Sequence, residues 1–102
     1  MKEKTNILIC EDDINLSSIV ADYLRNNDYV VDIAKDGKEG LEKCMNSHYD
    51  ICLLDIMMPN MNGFYMLQQL RANGRELPVI IISGRASKED IINGYKLGCD
   101  DY

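Results

Sequence analysis

Four polar side chains follow directly after three apolar runs of the sequence, and they are Glu11, Asp12, Asp55 and Ser83. The apolar runs, at residues 7–10, 51–54 and 79–82, are short and continuous, which is typical of strands buried on both faces of a parallel sheet. In such sheets ligands bind beyond the carboxyl ends of the strands, near the point where strand order reverses. The four side chains are therefore expected to meet at one edge, provided that the first and third strands are neighbours.

Carboxylates placed this close together predict a cation site. Like charges raise each other's pKa and cost stability, and a hard divalent cation relieves that cost. Magnesium prefers oxygen ligands and keeps several waters, so Glu11, Asp12 and Asp55 are predicted to form a Mg²⁺ site with open coordination positions. Asp55 is then placed to attack phosphorus, because carboxylates can act as nucleophiles that form aspartyl-phosphates.

A purely structural interpretation fits part of the acidic run. Asp13 is predicted to cap the following helix, where the helix dipole favours an acid. Asp55 lacks this explanation, because the turn-forming residues Pro59 and Gly63 follow it and no helix begins there directly.

Strand-like and helix-like segments alternate four times along the chain. The predicted strands are residues 7–10, 29–33, 51–54 and 79–82. This alternation predicts an α/β fold, a doubly wound parallel sheet with helices on both faces. Asp36 and Ser87 are predicted to cap the second and fourth helices, and Gly98 to end the fourth. The last residues, 99–102, supply at most the first residue of a fifth strand.

Each helix is predicted to bury an apolar face. In the first helix, most of the spacing of the apolar residues fits one face: Ile14, Leu16, Ile19, Val20, Tyr23 and Leu24. The predicted inward residues are Leu41, Cys44 and Met45 in the second helix and Ile91, Ile92 and Tyr95 in the fourth, while Phe64, Leu67 and Leu70 mark the third.

Composition narrows the class of protein. The chain has 102 residues, the size of one domain, and a net charge of −6, which disfavours direct nucleic-acid binding. We find no apolar run long enough to span a membrane and no secretory signal, so we expect a cytoplasmic protein with no membrane contact.

Cys10 and Cys52 are predicted to be core residues rather than disulfide partners, and His48 is predicted to be a surface residue.

The chain resembles the receiver domain of bacterial two-component response regulators over its whole length, residues 1–102. The residues that carry the resemblance are ILICEDD (7–13), LLDIMMPNMNG (53–63), PVIIISGR (78–85) and GCDDY (98–102). It implies a flavodoxin-like receiver fold in which Asp55 is the phosphoacceptor. Glu11 and Asp12 would hold Mg²⁺, and the backbone carbonyl of Met57 would be a further ligand.

The same resemblance implies roles for residues around the phosphoacceptor. Ser83 and Tyr102 match the hydroxyl and the aromatic residue that switch on activation. Met57 and Arg85 stand where this family tunes the rate of dephosphorylation. Pro59 and Gly63 match the proline and glycine that shape the loop.

The resemblance also implies partners and exposes one departure. A sensor histidine kinase would donate the phosphoryl group, and an output domain outside these residues would transmit the signal, commonly by binding DNA. The family's lysine lies three residues beyond the position of Tyr102. We therefore expect a receiver domain incomplete at its C-terminus, lacking most of the fifth βα unit. With the fourth strand at an open edge, self-association is expected.

Three other functions compete with this interpretation. A phosphohydrolase of the haloacid-dehalogenase type carries an acid two residues after its nucleophile, where this chain has Met57. A flavin-binding module needs a phosphate-cradling loop after the first strand, where this chain has Glu11 and Asp12. A truncated interaction fragment without phosphotransfer activity remains open.

Overall fold

The computed structural model describes residues 4–82 and 87–102. Within them, four parallel strands lie in the order β2-β1-β3-β4, and four helices connect or follow them. Their bounds are β1 Asn6–Cys10, α1 Ile14–Asn26, β2 Val30–Ala34, α2 Gly37–Asn46, β3 Ile51–Leu54, α3 Gly63–Ala72, β4 Val79–Ile81 and α4 Lys88–Leu97. The predicted doubly wound α/β fold is confirmed, and β1 and β3 are neighbours as the site prediction requires.

The two faces of the sheet bury separate apolar clusters, because successive strand residues point to opposite sides. On one face Leu8 and Cys10 pack with the inner residues of α2 and α3. On the other face Ile7 and Ile9 pack against α1 at Ala21. Leu67 and Leu70 are fully buried as predicted, and the partly buried Phe64, Leu41 and Met45 pack against the first cluster.

The predicted helix caps are confirmed. The side chains of Asp13, Asp36 and Ser87 each accept a backbone N–H of the first turn of their helix. Gly98 ends α4 in the left-handed conformation, with φ of 99°. Asn62 caps α3 in the same way and was not predicted.

The predicted inner faces of α1 and α4 are wrong in part. Val20 and Leu24 of α1 pack against the second apolar cluster as predicted. The other predicted residues of α1 are exposed: Ile14 75%, Leu16 46%, Ile19 67% and Tyr23 69%. The residues buried in α1 are Ser17 and Ala21, whose small side chains let the helix lie close to the sheet.

In α4, Ile92 and Tyr95 are also exposed, and Gly94 is the buried residue. A Cβ atom on Gly94 would lie 2.9 Å from the ring of Tyr102 and 3.0 Å from the side chain of Ile81. The close approach of α4 to its neighbours therefore requires glycine.

The segment after α4 pairs with β4. Asp101 forms a parallel bridge with Ile80 and accepts the N–H of Ile81 at 3.0 Å, which confirms the predicted fifth-strand residue. Asp100 accepts the N–H of Val79 through its side chain and donates its own N–H to the Val79 carbonyl, both at 2.8 Å. β4 is the edge of the strand order as expected. An edge strand would leave residues 79–82 facing an open side, but this is wrong for Val79 and Ile81, which are buried.

Arg71 fixes the ends of several elements at once. Its guanidinium donates twice to the Gly98 carbonyl, at 3.0 and 2.7 Å, and once each to the carbonyls of Arg75 and Leu77, at 2.9 Å. It also lies 3.3 Å from the Asp100 carboxylate. These contacts join α3, the start of β4 and the segment after α4.

Cys10 and Cys52 lie in the core and His48 lies at the surface, as predicted. Cys10, Cys44, Cys52 and Cys99 are free and buried. His48 is exposed and lies 3.4 Å from the carboxylate of Asp50. Among the residues that the structure describes, no helix has the length and apolar character needed to cross a bilayer.

Replacing Arg71 by lysine should lower the free energy of unfolding by about 2 kcal/mol, because lysine cannot reproduce a planar fork that serves several carbonyls. Urea denaturation measures this. Arg25→Lys is the matched control, since Arg25 donates to one carbonyl, that of Val31, and otherwise lies 4.0 Å from the carboxylate of Asp22. Equal losses in the two variants would contradict the role assigned to Arg71.

Candidate functional site

Three carboxylates meet at the carboxyl edge of the sheet. Glu11, Asp12 and Asp55 each place a carboxylate oxygen within 4.8 Å of the other two. The strand register brings them there, since Cys10 pairs with Leu54 and the N–H of Asp55 donates to the Cys10 carbonyl at 3.0 Å. The predicted convergence of these three residues is confirmed.

Glu11 is the most buried of the three carboxylates, and its pKa shows that its charged form is disfavoured there. Its carboxyl group accepts the N–H of Asp13 at 3.1 Å. Burial, followed by the charges of Asp55 and Asp12, raises the pKa of Glu11 to about 7, against the lowering effect of the Asp13 N–H. A proton or a cation must therefore compensate the three acids near neutral pH.

The donor set fits a hard divalent cation. All three donors are carboxylate oxygens, and Asp12 is exposed while Asp55 is half-buried, so the cluster is open to solvent. Oxygen ligands with room for water are the surroundings that Mg²⁺ prefers.

The loop after β3 folds back on Asp55. The N–H of Gly63 donates to the Ile56 carbonyl at 2.8 Å, and a Cβ atom on Gly63 would collide with the carbonyl oxygen of Asp55. Pro59 accepts the N–H of Met61 at 2.7 Å. Met57 lies between Ile56 and Pro59, the two residues whose carbonyls accept these bonds, and it is 56% exposed.

The predicted switch and tuning residues are only partly within the described residues. Ser83 and Arg85 lie outside them. Tyr102 is half-buried against Gly94 of α4. Burial, then the charges of Asp90, Cys99 and Asp55, raise the pKa of Tyr102.

The sequence did not predict how this loop is joined to α2. The side chain of Asn60 donates to Asp36 at 2.8 Å, and the N–H of Gly37 donates to the Met61 carbonyl at 3.2 Å. Asn60 has φ of 65°. Asparagine adopts the left-handed region more readily than most residues, so an asparagine directly after a proline was the available signal.

In the metal-free protein, the free energy of unfolding should fall as pH rises from about 4.5 to 7. Glu11 binds its proton more tightly in the folded state than in the unfolded state, so the folded state loses this advantage as the proton leaves. Urea denaturation at several pH values measures the slope, which Glu11→Gln should reduce. The exposed control Glu42→Gln should keep it, and an unchanged slope in Glu11→Gln would contradict the assignment.

Comparison with known proteins agrees with this geometry. The family model described as "Response regulator receiver domain" matches residues 7–102. The transcriptional regulatory protein RprY of Bacteroides fragilis is 41% identical over 102 residues, which are 100% of this chain and 43% of RprY. CiaR of Streptococcus pneumoniae, also a transcriptional regulatory protein, is 43% identical over 96 residues, 94% of this chain and 42% of CiaR. The chain thus spans less than half the length of these relatives.

Solved structures give the same result. The receiver domain of the Francisella response regulator 1452 superposes with a TM-score of 0.93 and 34% identity, covering 97% of this chain and 82% of that one. A CheY-like receiver domain protein from Methanospirillum hungatei superposes with a TM-score of 0.92 and 30% identity, covering 98% and 80%. The chain belongs to the response regulator receiver domain family.

Proposed function

We propose that this chain is a phosphorylation-dependent signalling switch whose phosphoacceptor is Asp55. The observation that carries the proposal is the convergence of Glu11, Asp12 and Asp55 at the carboxyl edge of the sheet, in a chain of the receiver family. The whole of residues 1–102 would act as one receiver domain that serves its own phosphorylation and dephosphorylation and has no other substrate.

The chemical step is transfer of a phosphoryl group from a phosphohistidine of a sensor histidine kinase. A carboxylate oxygen of Asp55 attacks phosphorus, so that a P–O bond forms while the P–N bond breaks and the leaving imidazole takes up a proton. Glu11, Asp12 and Asp55, with the backbone carbonyl of Met57, would hold Mg²⁺. When bound, Mg²⁺ would neutralise charge on the transferring group.

Transmission would run through Ser83 and Tyr102 to α4. Tyr102 lies close to Gly94, so its ring is placed to affect α4 when it moves. Phosphorylation would favour one of two conformations rather than create a new one. Met57 and Arg85 would set how long the phosphorylated state lasts, and Pro59 and Gly63 would keep the loop in shape.

A protein donor must approach Asp55, and α1, which begins two residues after Asp12, carries exposed apolar side chains. Ile14, Ile19 and Tyr23 are exposed on the helix that begins directly after the acidic run. We assign this surface to the sensor kinase, because a donor seated on it lies beside the acidic cluster.

Regulation of transcription, by DNA binding through an output domain, is proposed for the whole protein, since both relatives described above are named transcriptional regulatory proteins. A cytoplasmic location is expected for a receiver domain and stays a prediction.

Self-association also stays a prediction. It is supported by the edge position of β4, and it is weakened by the bonds that Asp100 and Asp101 already make there.

Incubation with Mg²⁺ and acetyl phosphate should add one phosphoryl group to the wild-type chain and none to Asp55→Asn, because the amide is a poor nucleophile. Intact-mass spectrometry measures this. Asp13→Asn is the matched control and should be phosphorylated, since asparagine also caps a helix. Failure of the wild-type chain to gain mass would favour the alternative, an interaction fragment without phosphotransfer activity.

Ile14→Ser should slow phosphotransfer from a sensor kinase that phosphorylates the wild type by about tenfold, a typical loss for one well-buried interface residue. Phosphorylation by acetyl phosphate should not change, because the small donor needs no docking surface. Val30→Ser, at an exposed valine that begins β2, is the control. Equal slowing with both donors would contradict a docking role for α1.

A further inference from the structure

One carboxylate outside the acidic cluster is almost fully buried and satisfied from two different elements. Asp36 is 7% exposed and caps α2. One of its oxygens accepts the N–H of Glu39 at 2.8 Å, and the other accepts the side-chain amide of Asn60 at 2.8 Å. The Glu39 N–H, followed by the Asn60 amide, lowers the pKa of Asp36, so its charge is present at neutral pH.

The amide that reaches Asp36 belongs to the loop that follows Asp55. Asn60 holds this loop in a left-handed conformation, with φ of 65°. The next loop residue, Met61, accepts the N–H of Gly37 at 3.2 Å, and a Cβ atom on Gly37 would collide with that carbonyl. Two successive loop residues are therefore held against the first turn of α2.

The other end of the loop is held by the sheet and by α3. The N–H of Asp55 donates to Cys10, and the Ile56 carbonyl accepts the N–H groups of Met58 and Gly63 at 3.1 and 2.8 Å. Met57 lies between these contacts and Asn60. The chain is therefore fixed on both sides of Met57, at Ile56 and at Asn60.

We propose that Asp36 and Asn60 are positioning residues, which hold the loop of residues 56–61 so that the Met57 carbonyl lies where the metal site needs it. This inference rests on the proposed function, since it gives the loop a role in Mg²⁺ binding. Neither side chain would touch the cation. Their effect would pass through the loop backbone, as partners of metal ligands commonly act on affinity.

A donor–acceptor exchange separates this role from simple helix capping. Asp36→Ser keeps a good cap but is too short to reach the Asn60 amide, so it removes the bond. Asn60→Asp places two carboxylates together. The double variant Asp36→Asn, Asn60→Asp restores one donor and one acceptor, so it tests the bond itself rather than either residue.

The full chain and its variants would be titrated with Mg²⁺ by calorimetry, and amide exchange at residues 56–61 would be measured without metal. Each single variant should raise the Kd for Mg²⁺ by about tenfold and speed exchange in the loop. The double variant should return the Kd to within about twofold of wild type if the bond alone is responsible. Asn60→Gly keeps the left-handed backbone and removes only the amide, so it should raise the Kd in a folded protein.

Asp28→Gly is the matched control, because Asp28 has φ of 69° in the turn between α1 and β2. It should leave the Kd and the loop exchange unchanged. If Asn60→Gly and the single variants lower stability but leave both quantities unchanged, Asp36 is a helix cap only and the inference is overturned. If the wild-type chain binds no Mg²⁺, the proposed function fails first and the inference fails with it.

Discussion

Repulsion among three carboxylates at the end of two neighbouring strands is the interaction on which the site depends. Cys10 pairs with Leu54 in the sheet, and Glu11 and Asp55 are the next residues along these two strands. The sheet therefore holds Glu11 and Asp55 close together. Burial, and then the neighbouring charges of Asp55 and Asp12, raise the pKa of Glu11 to about 7. A cation is the simplest means by which such a cluster is stabilised without a proton.

The rest of the molecule holds this edge in place through contacts at a distance from it. The two apolar clusters fix the strands, and the loop after β3 is held by α2 on one side and by α3 on the other. Arg71 lies near the C-terminal end of α3 and donates hydrogen bonds to the carbonyls of Gly98, which ends α4, and of Leu77. These bonds act in addition to its ion pair with Asp100. The residues that stabilise the fold, in the apolar clusters and at Arg71, are thus largely different from the carboxylates that form the site.

The sequence predicted those features that depend on neighbours in the chain. The strand at Ile51–Leu54 and the caps at Asp13, Asp36 and Ser87 follow from local patterns, and the site followed from the strands. The inner faces of α1 and α4 could be predicted only in part from apolar spacing, because small residues, Ala21 and Gly94, are the ones buried there. The bond between Asp36 and Asn60 spans 24 residues, so only the folded chain brings its two partners together.

The packing of α1 through Ser17 and Ala21 has a consequence for how such a protein can change over time. The large side chains of Ile14, Ile19 and Tyr23 contribute little to the core, since most of their surface is in water. Substitutions at these positions are expected to cost little stability, and under the proposed docking role of α1 they would alter which protein is recognised. A duplicated copy of this domain could therefore acquire a new signalling partner by a few surface changes, and the acidic edge would be left intact.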